Sequence, residues 1–237
     1  MNAGHRLDAA LLIEKAKALG ASLAGVAGVD ALRQSASRQA VAQLPPNVKS
    51  VLVLALAHPS SKPELDWWDG KPGHTPGNRR LIDVAGALGR WLDEQFHVQA
   101  RLLPYPVERG GVLLKDAGVL AGLGVMGRNN LLITRQLGPR VRLRALALDV
   151  QWEPTGPADF APCATCAMPC WHACPQGAFA DGAYRRASCY RQMDEDAARG
   201  LAVAKARPGP SRPLSVHYCR ACEMACPIGK QPSLSPE

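Results

Sequence analysis

Residues 163–175 read CATCAMPCWHACP and residues 219–227 read CRACEMACP, with Cys189 alone between them. All eight cysteines of the chain fall in this stretch. Eight thiolates are what two [4Fe–4S] clusters require, at four each, and a proline directly after the last cysteine of a run marks such sites. Structural zinc is the main rival, because C-x2-C pairs suit it. Four disulfides are possible by count alone. The opening of the chain carries Asp8, Glu14, Lys15 and Lys17 where a secretory segment needs an unbroken apolar run. A cytoplasmic, reducing setting is therefore the expectation, and it disfavours disulfides.

In bacterial two-cluster ferredoxins the cysteine before the proline ligates the cluster of the other run. That crossing predicts one cluster on Cys163, Cys166, Cys170 and Cys226, and a second on Cys174, Cys189, Cys219 and Cys222. One irregularity is visible. Three residues, Ala167-Met168-Pro169, separate Cys166 from Cys170, where the bacterial run has two. The extra residue has to bulge. His172, inside the first run, is either a solvated loop residue or a hydrogen-bond partner of a cluster sulfur.

Working outward, the first 155 residues alternate helix and strand signals. Leu7–Gly20 has apolar residues at helical spacing, and Ser22–Val29 is β-prone. Asp30–Gln43 reads as one helix with Asp30 as its N-cap. Ser50–Ala57 (SVLVLALA) is a continuous apolar run, the mark of a strand buried on both faces. His58–Asn78 reads as loop and Arg79–Phe96 as a helix capped by Asn78. Strands follow at Val98–Leu103, Leu131–Thr134 and Val141–Val150, with partial helix in Gly110–Leu123 and a turn at Gly124–Asn130. Arg140, Arg142 and Arg144 alternate and so share one face of a strand. The pattern predicts an α+β protein: an α/β cofactor-binding domain over 1–155 and a ferredoxin-like iron–sulfur domain over 156–237. Ala206–Leu214 (ARPGPSRPL) reads as a loop between the cysteine runs.

The chain has 237 residues, 47% of them hydrophobic, and a formal charge of +8. Two oxidised clusters with their thiolates would lower this to about +4. The remainder serves solubility or an anionic partner such as RNA or a phosphate-bearing cofactor. No run of eighteen apolar residues is present, so no membrane span is expected. No Ser-His-Asp or H-E-x-x-H pattern supports hydrolase chemistry.

Glycines at 118, 122, 124 and 127 are dense just before an apolar strand. They serve either close backbone approach to a ligand or a tight helix-to-strand turn. Gly122, Gly124 and Gly127 spell G-x-G-x-x-G, but before a strand rather than after one, which argues against a dinucleotide site. Trp67 and Trp68 either cover a flat cofactor or anchor their own loop.

The pair Glu108-Arg109, the segment Ala121–Ile133 (AGLGVMGRNNLLI) and the cysteine pattern together resemble the epoxyqueuosine reductases. These are cobalamin-dependent double [4Fe–4S] enzymes related to reductive dehalogenases. The resemblance implies a nitroreductase-like sandwich that holds a corrinoid, with the clusters passing electrons to cobalt. Its cofactor-binding residues would be Gly118, Gly122, Gly124, Gly127, Arg128, Asn129, Trp67 and Trp68, over a largely apolar cavity. It implies a low-potential donor such as ferredoxin or flavodoxin. The family carries an aspartate shortly before its E-R pair. Here Gln99–Val107 contains no carboxylate, which leaves Glu108 and Tyr105 as candidate proton donors. The missing acid, and the absence of the family's C-terminal repeats, make tRNA a disfavoured partner on this reading. A corrinoid-dependent reductase is the main expectation; a ferredoxin-type electron carrier and an epoxyqueuosine reductase acting on tRNA are the alternatives.

Overall fold

The computed structural model describes residues 8–205 and 214–229. It divides into two compact units, and they interleave along the chain instead of meeting at one boundary near 155. The first comprises Met1–Ala57, Gly77–Val125 and Arg142–Asp159. The second comprises His58–Pro76, Met126–Val141 and Phe160–Glu237. The loop expected over Ala206–Leu214 lies outside the described residues except for Leu214.

In the first unit, α1 (Ala9–Ala18) is capped by Asp8, whose carboxylate accepts the Leu11 N–H at 2.8 Å. β1 (Leu23–Gly28) pairs antiparallel with β2 (Ser50–Ala57). The expected helix over 30–43 is two short ones, α2 (Val29–Arg33) and α3 (Arg38–Val41). The break has a non-local cause. The Asp116 carboxylate accepts the Ser35 hydroxyl at 2.6 Å and the Ser37 N–H at 3.0 Å, and so competes with helix continuation. Asp30 therefore sits inside a first turn, paired with Arg33, and is not a cap.

α4 (Pro76–Phe96) starts two residues before the expected Asn78 cap, with proline in its first turn. β3 (Ala100–Leu102), α5 (Leu114–Leu120), β4 (Val125–Met126), β5 (Leu132–Ile133) and β6 (Val141–Leu148) follow. The sheet order is β1-β2-β6-β3, and β4 and β5 form a separate two-stranded ribbon. β2 lies inside the sheet, and seven of its eight residues are buried, as its apolar run requires. One face carries Leu52, Leu54, Leu146 and Leu148 against Leu12 of α1 and Leu81, Leu88 and Leu92 of α4. α5 packs on β1 and β2.

Thr155 ties the end of the first unit to this sheet. Its hydroxyl donates to the Ala121 carbonyl at 2.7 Å and accepts the Val26 N–H at 2.8 Å. Thr155→Val keeps the shape and strands both partners. We expect a loss of about 1–2 kcal/mol, read as a lower denaturation midpoint with an unchanged slope. An unchanged midpoint would show that water replaces the hydroxyl.

The second unit is mostly loop and turn. It contains α6 (Pro169–His172), α7 (Arg186–Lys205) and α8 (Ala221–Ala225). α6 packs on α8, which joins the two cysteine runs. Among the described residues no helix is long and apolar enough to cross a membrane.

Candidate metal centre

The extra residue of the first run is absorbed at Met168, which takes a left-handed conformation (φ 55°) just before Pro169 opens α6. All eight cysteines are free thiols. Their electrostatic neighbours sort them. Burial raises the Cys170 thiol, and Cys226, Cys166 and Cys163 act on it as neighbouring charges. Burial likewise raises Cys226, which feels Arg140, Cys163 and Cys166. Burial pushes Cys222 up to about 12, with Cys219, Cys189 and Cys174 as the next causes. Cys219 is raised by burial too, and among its charged neighbours are Asp196, Cys174 and Cys189. The chain thus gathers Cys163, Cys166, Cys170 and Cys226 in one place. Cys174, Cys189, Cys219 and Cys222 gather in another.

These thiols have the surroundings that cluster sulfurs use. The Ala178 N–H points at Cys174 Sγ at 3.3 Å and the Ala221 N–H at Cys219 Sγ at 3.5 Å. Tyr184 hydrogen-bonds to Cys189, and burial, then this bond, raise its phenol. A sulfur that accepts such bonds better tolerates the charge of a reduced cluster. His172 is exposed at the end of α6.

Arg140 holds the second run in place. It is buried, and one terminal nitrogen donates to the carbonyls of Glu223 and Cys226, each at 3.3 Å, while the other donates to Ile228. The strand alternation flags Arg140, but nothing local in the sequence says that its partners lie more than eighty residues away. α7 supplies a second residue that the motif reading does not name. Asp196 follows Cys189 by two helical turns, on the same face, and accepts the Cys219 N–H at 2.8 Å.

A further buried ionic group stands beside α8. His58 lies between Asp66, 3.4 Å from its Nδ1, and Glu223, 3.7 Å from its Nε2. These three could surround a cation, their ligand atoms lying within 4.8 Å of one another. Arg220 already pairs with both carboxylates and donates to the His58 carbonyl. We read the group as an ion network that fixes α8.

The expected cofactor residues are divided between the units. Gly118, Gly122 and Gly124 belong to the first, and Gly127, Arg128, Asn129, Trp67 and Trp68 to the second. The room at Gly122 is filled by the chain itself: a Cβ there would lie 2.5 Å from the Thr155 carbonyl oxygen. At Gly127 a Cβ would meet the Ile133 and Asn129 side chains. Trp67 stacks on His217 at 4.2 Å, and Trp68 exchanges backbone hydrogen bonds with Val216 while its indole donates to His74. Both tryptophans therefore anchor their loop. Arg128 is exposed, and its carbonyl accepts the Trp171 indole N–H. Asn129 is different. It is buried, and its Nδ2 has no hydrogen-bond partner. An orphaned amide donor fits a ligand rich in carbonyl groups, as the corrin amides are. Two shallow surface depressions run along α4, past Gly86, Gly89 and Arg90 in one and Leu19, Arg80 and Val84 in the other. Neither is the apolar cavity expected over Gly118–Gly127.

Of the two proton-donor candidates, Glu108 is exposed in a short 3-10 turn (Val107–Arg109). Tyr105, also exposed, has the Arg144 guanidinium 5.8 Å from its ring centroid. Arg144 is buried, with Nε and one terminal nitrogen unpartnered. Burial lowers its pKa, and a charged Tyr105 opposes that.

No protein-family model matches the chain. Its sequence is similar to the epoxyqueuosine reductase of Gloeobacter violaceus, 29% identical over 224 residues, which are 91% of this chain and 67% of that one. A second relative, from Lactococcus garvieae, is 24% identical, and the chain spans 53% of its length. The fold is similar to that of Streptococcus thermophilus epoxyqueuosine reductase, with a TM-score of 0.64 at 20% identity over 93% of this chain and 65% of that one. A catabolic reductive dehalogenase superposes with a TM-score of 0.65 at 16% identity, over 93% of this chain and 31% of that one. The sequence reading of tRNA as a disfavoured partner is corrected by another neighbour. An epoxyqueuosine reductase captured with an epoxyqueuosine-modified tRNA-Tyr stem loop matches 93% of this chain and 64% of its own length, with a TM-score of 0.60. The chain has a mixed α+β fold related to that of the epoxyqueuosine reductases and reductive dehalogenases, with low-identity sequence similarity to the former.

Proposed function

We propose that the chain is a corrinoid- and iron–sulfur-dependent reductase of the epoxyqueuosine-reductase type, acting on a modified nucleoside of tRNA. The gathering of eight thiols into two sets of four, in the crossed arrangement of a two-cluster ferredoxin, carries this reading. On this reading the first unit is a nitroreductase-like sandwich and the cysteine-bearing unit a ferredoxin-like module. Similarity to enzymes of that name over most of the chain supports the tRNA substrate above a bare electron carrier.

A bound corrinoid would supply the reducing chemistry, and the two cysteine sets would hold the clusters that serve it. Asn129, whose Nδ2 is unpartnered, would donate to it. Tyr105 takes the place of the family's missing aspartate as the proton donor. The buried Arg144, with two unpartnered nitrogens, stands 5.8 Å from the Tyr105 ring centroid.

The test uses the anaerobically reconstituted full chain. Cob(II)alamin titration followed by EPR should show stoichiometric binding, weakened in Asn129→Ala. With epoxyqueuosine-containing tRNA and a reductant, mass spectrometry of the nucleosides should show reduction, slowed at least about tenfold in Tyr105→Phe. Corrinoid binding without tRNA turnover would remove the substrate, and no binding at all would remove the reductase.

A further inference from the structure

The two thiol sets sit in opposite electrostatic surroundings. Beside the first is a buried cation. Arg140 is 6% exposed, contacts the Cys226 carbonyl at 3.3 Å and acts on the Cys226 thiol as a positive charge. Beside the second is a buried anion. Asp196 is 7% exposed and its carboxylate accepts the Cys219 N–H at 2.8 Å; Gln192 is its other partner, and the exposed Arg199 reaches it only at 3.8 Å. Glu223, next to Cys222, belongs to the network of His58, Asp66, Glu223 and Arg220, in which the carboxylates have basic partners, which leaves Asp196 as the anion of this set. Reducing a [4Fe–4S] cluster adds one negative charge to it. A fixed cation favours that step and a fixed anion opposes it, and burial strengthens both effects.

We propose that Arg140 and Asp196 set the two clusters apart in potential, so that the Cys163–Cys166–Cys170–Cys226 cluster is the higher and the Cys174–Cys189–Cys219–Cys222 cluster the lower. A single electron from an external one-electron reductant then comes to rest on the first cluster. The inference rests on the reading of the thiols as cluster ligands. Both residues act through their charge on the neighbouring cluster and touch no substrate.

The experiment is an EPR-monitored redox titration of the reconstituted full chain, preceded by iron and sulfide analysis. An iron content near zero would sink the cluster reading itself. With about eight irons per chain, two separate midpoints are expected. Asp196→Asn keeps an acceptor for the Cys219 N–H and removes the charge, so only the lower midpoint should rise. Arg140→Met should lower only the higher one. Because Arg140 also anchors the chain after Cys226, Arg140→Lys serves as the second variant, retaining the charge and the wild-type order of midpoints. Superimposed midpoints in the wild-type protein would overturn the proposal, as would an Asp196→Asn variant whose lower midpoint stays in place or whose higher midpoint moves.

Discussion

Replacing Cys226 with serine should cut the iron of the reconstituted chain from about eight atoms to about four and abolish the same EPR signal that Cys163→Ser abolishes. The reason is the crossing. Cys226 belongs to the second sequence run, yet its thiol interacts with Cys163 and Cys166, and Cys170 feels Cys226 ahead of its own neighbours in sequence. Cys174 closes the first run but interacts with Cys219 and Cys222. Cys174→Ser and Cys219→Ser should therefore share the other phenotype. A chain that filled each cluster from one run would pair the variants differently, with Cys226→Ser matching Cys219→Ser. Two zinc ions per chain in place of iron would return the centre to a structural role. The serine variants are close to isosteric, so lost iron reports a lost ligand. Circular dichroism of each variant checks that the sheet of the first unit survives.

The crossing was an expectation taken from the cysteine runs by analogy with bacterial two-cluster ferredoxins, and the serine variants above test it. β2 was legible in the sequence, since its eight-residue apolar run admits little but a strand covered on both faces. The misreadings share a physical cause. The helix expected over 30–43 fails because Asp116 reaches across to Ser35 and Ser37, and no local propensity encodes a partner eighty residues distant. The glycines at 122 and 127 read either as space for a ligand or as a tight turn, and the chain itself lines that space. Trp67 and Trp68 read either as a lid or as anchors of their loop, and His217 and His74 occupy their rings. Arg140, Arg144 and Asp196 went unassigned because a charged residue shows its role only through what stands beside it. The cysteines differ, since their number and spacing already mark them as a metal-binding set.

Gly138→Ala should be among the most disruptive single changes in the protein, although it adds one methyl group. Gly138 has φ +58°, in the left-handed region, and a Cβ there would lie 1.9 Å from the Ile228 carbonyl oxygen. That carbonyl cannot give way cheaply, since it accepts from Arg140. Gly229, also left-handed at φ +66°, faces Gly138 so closely that its own Cβ would lie 2.3 Å from the Gly138 nitrogen. On the other side Gly138 and Thr134 exchange backbone hydrogen bonds of 2.9 and 3.0 Å. The methyl group can be housed only by moving residues 227–229, which also moves Cys226. Gly182→Ala separates strain from collision. Gly182 has φ +78°, and a Cβ there meets nothing within 4 Å. It should cost only the left-handed strain, about 1 kcal/mol. Gly138→Ala should cost that and the loss of the Arg140 anchor, more than about 3 kcal/mol together, and should lower the iron content of the set that contains Cys226. Denaturant titration of the two variants, with iron analysis beside it, gives the comparison. Equal losses at the two positions would mean that the chain after Cys226 yields freely, and Arg140 would then not be what holds it.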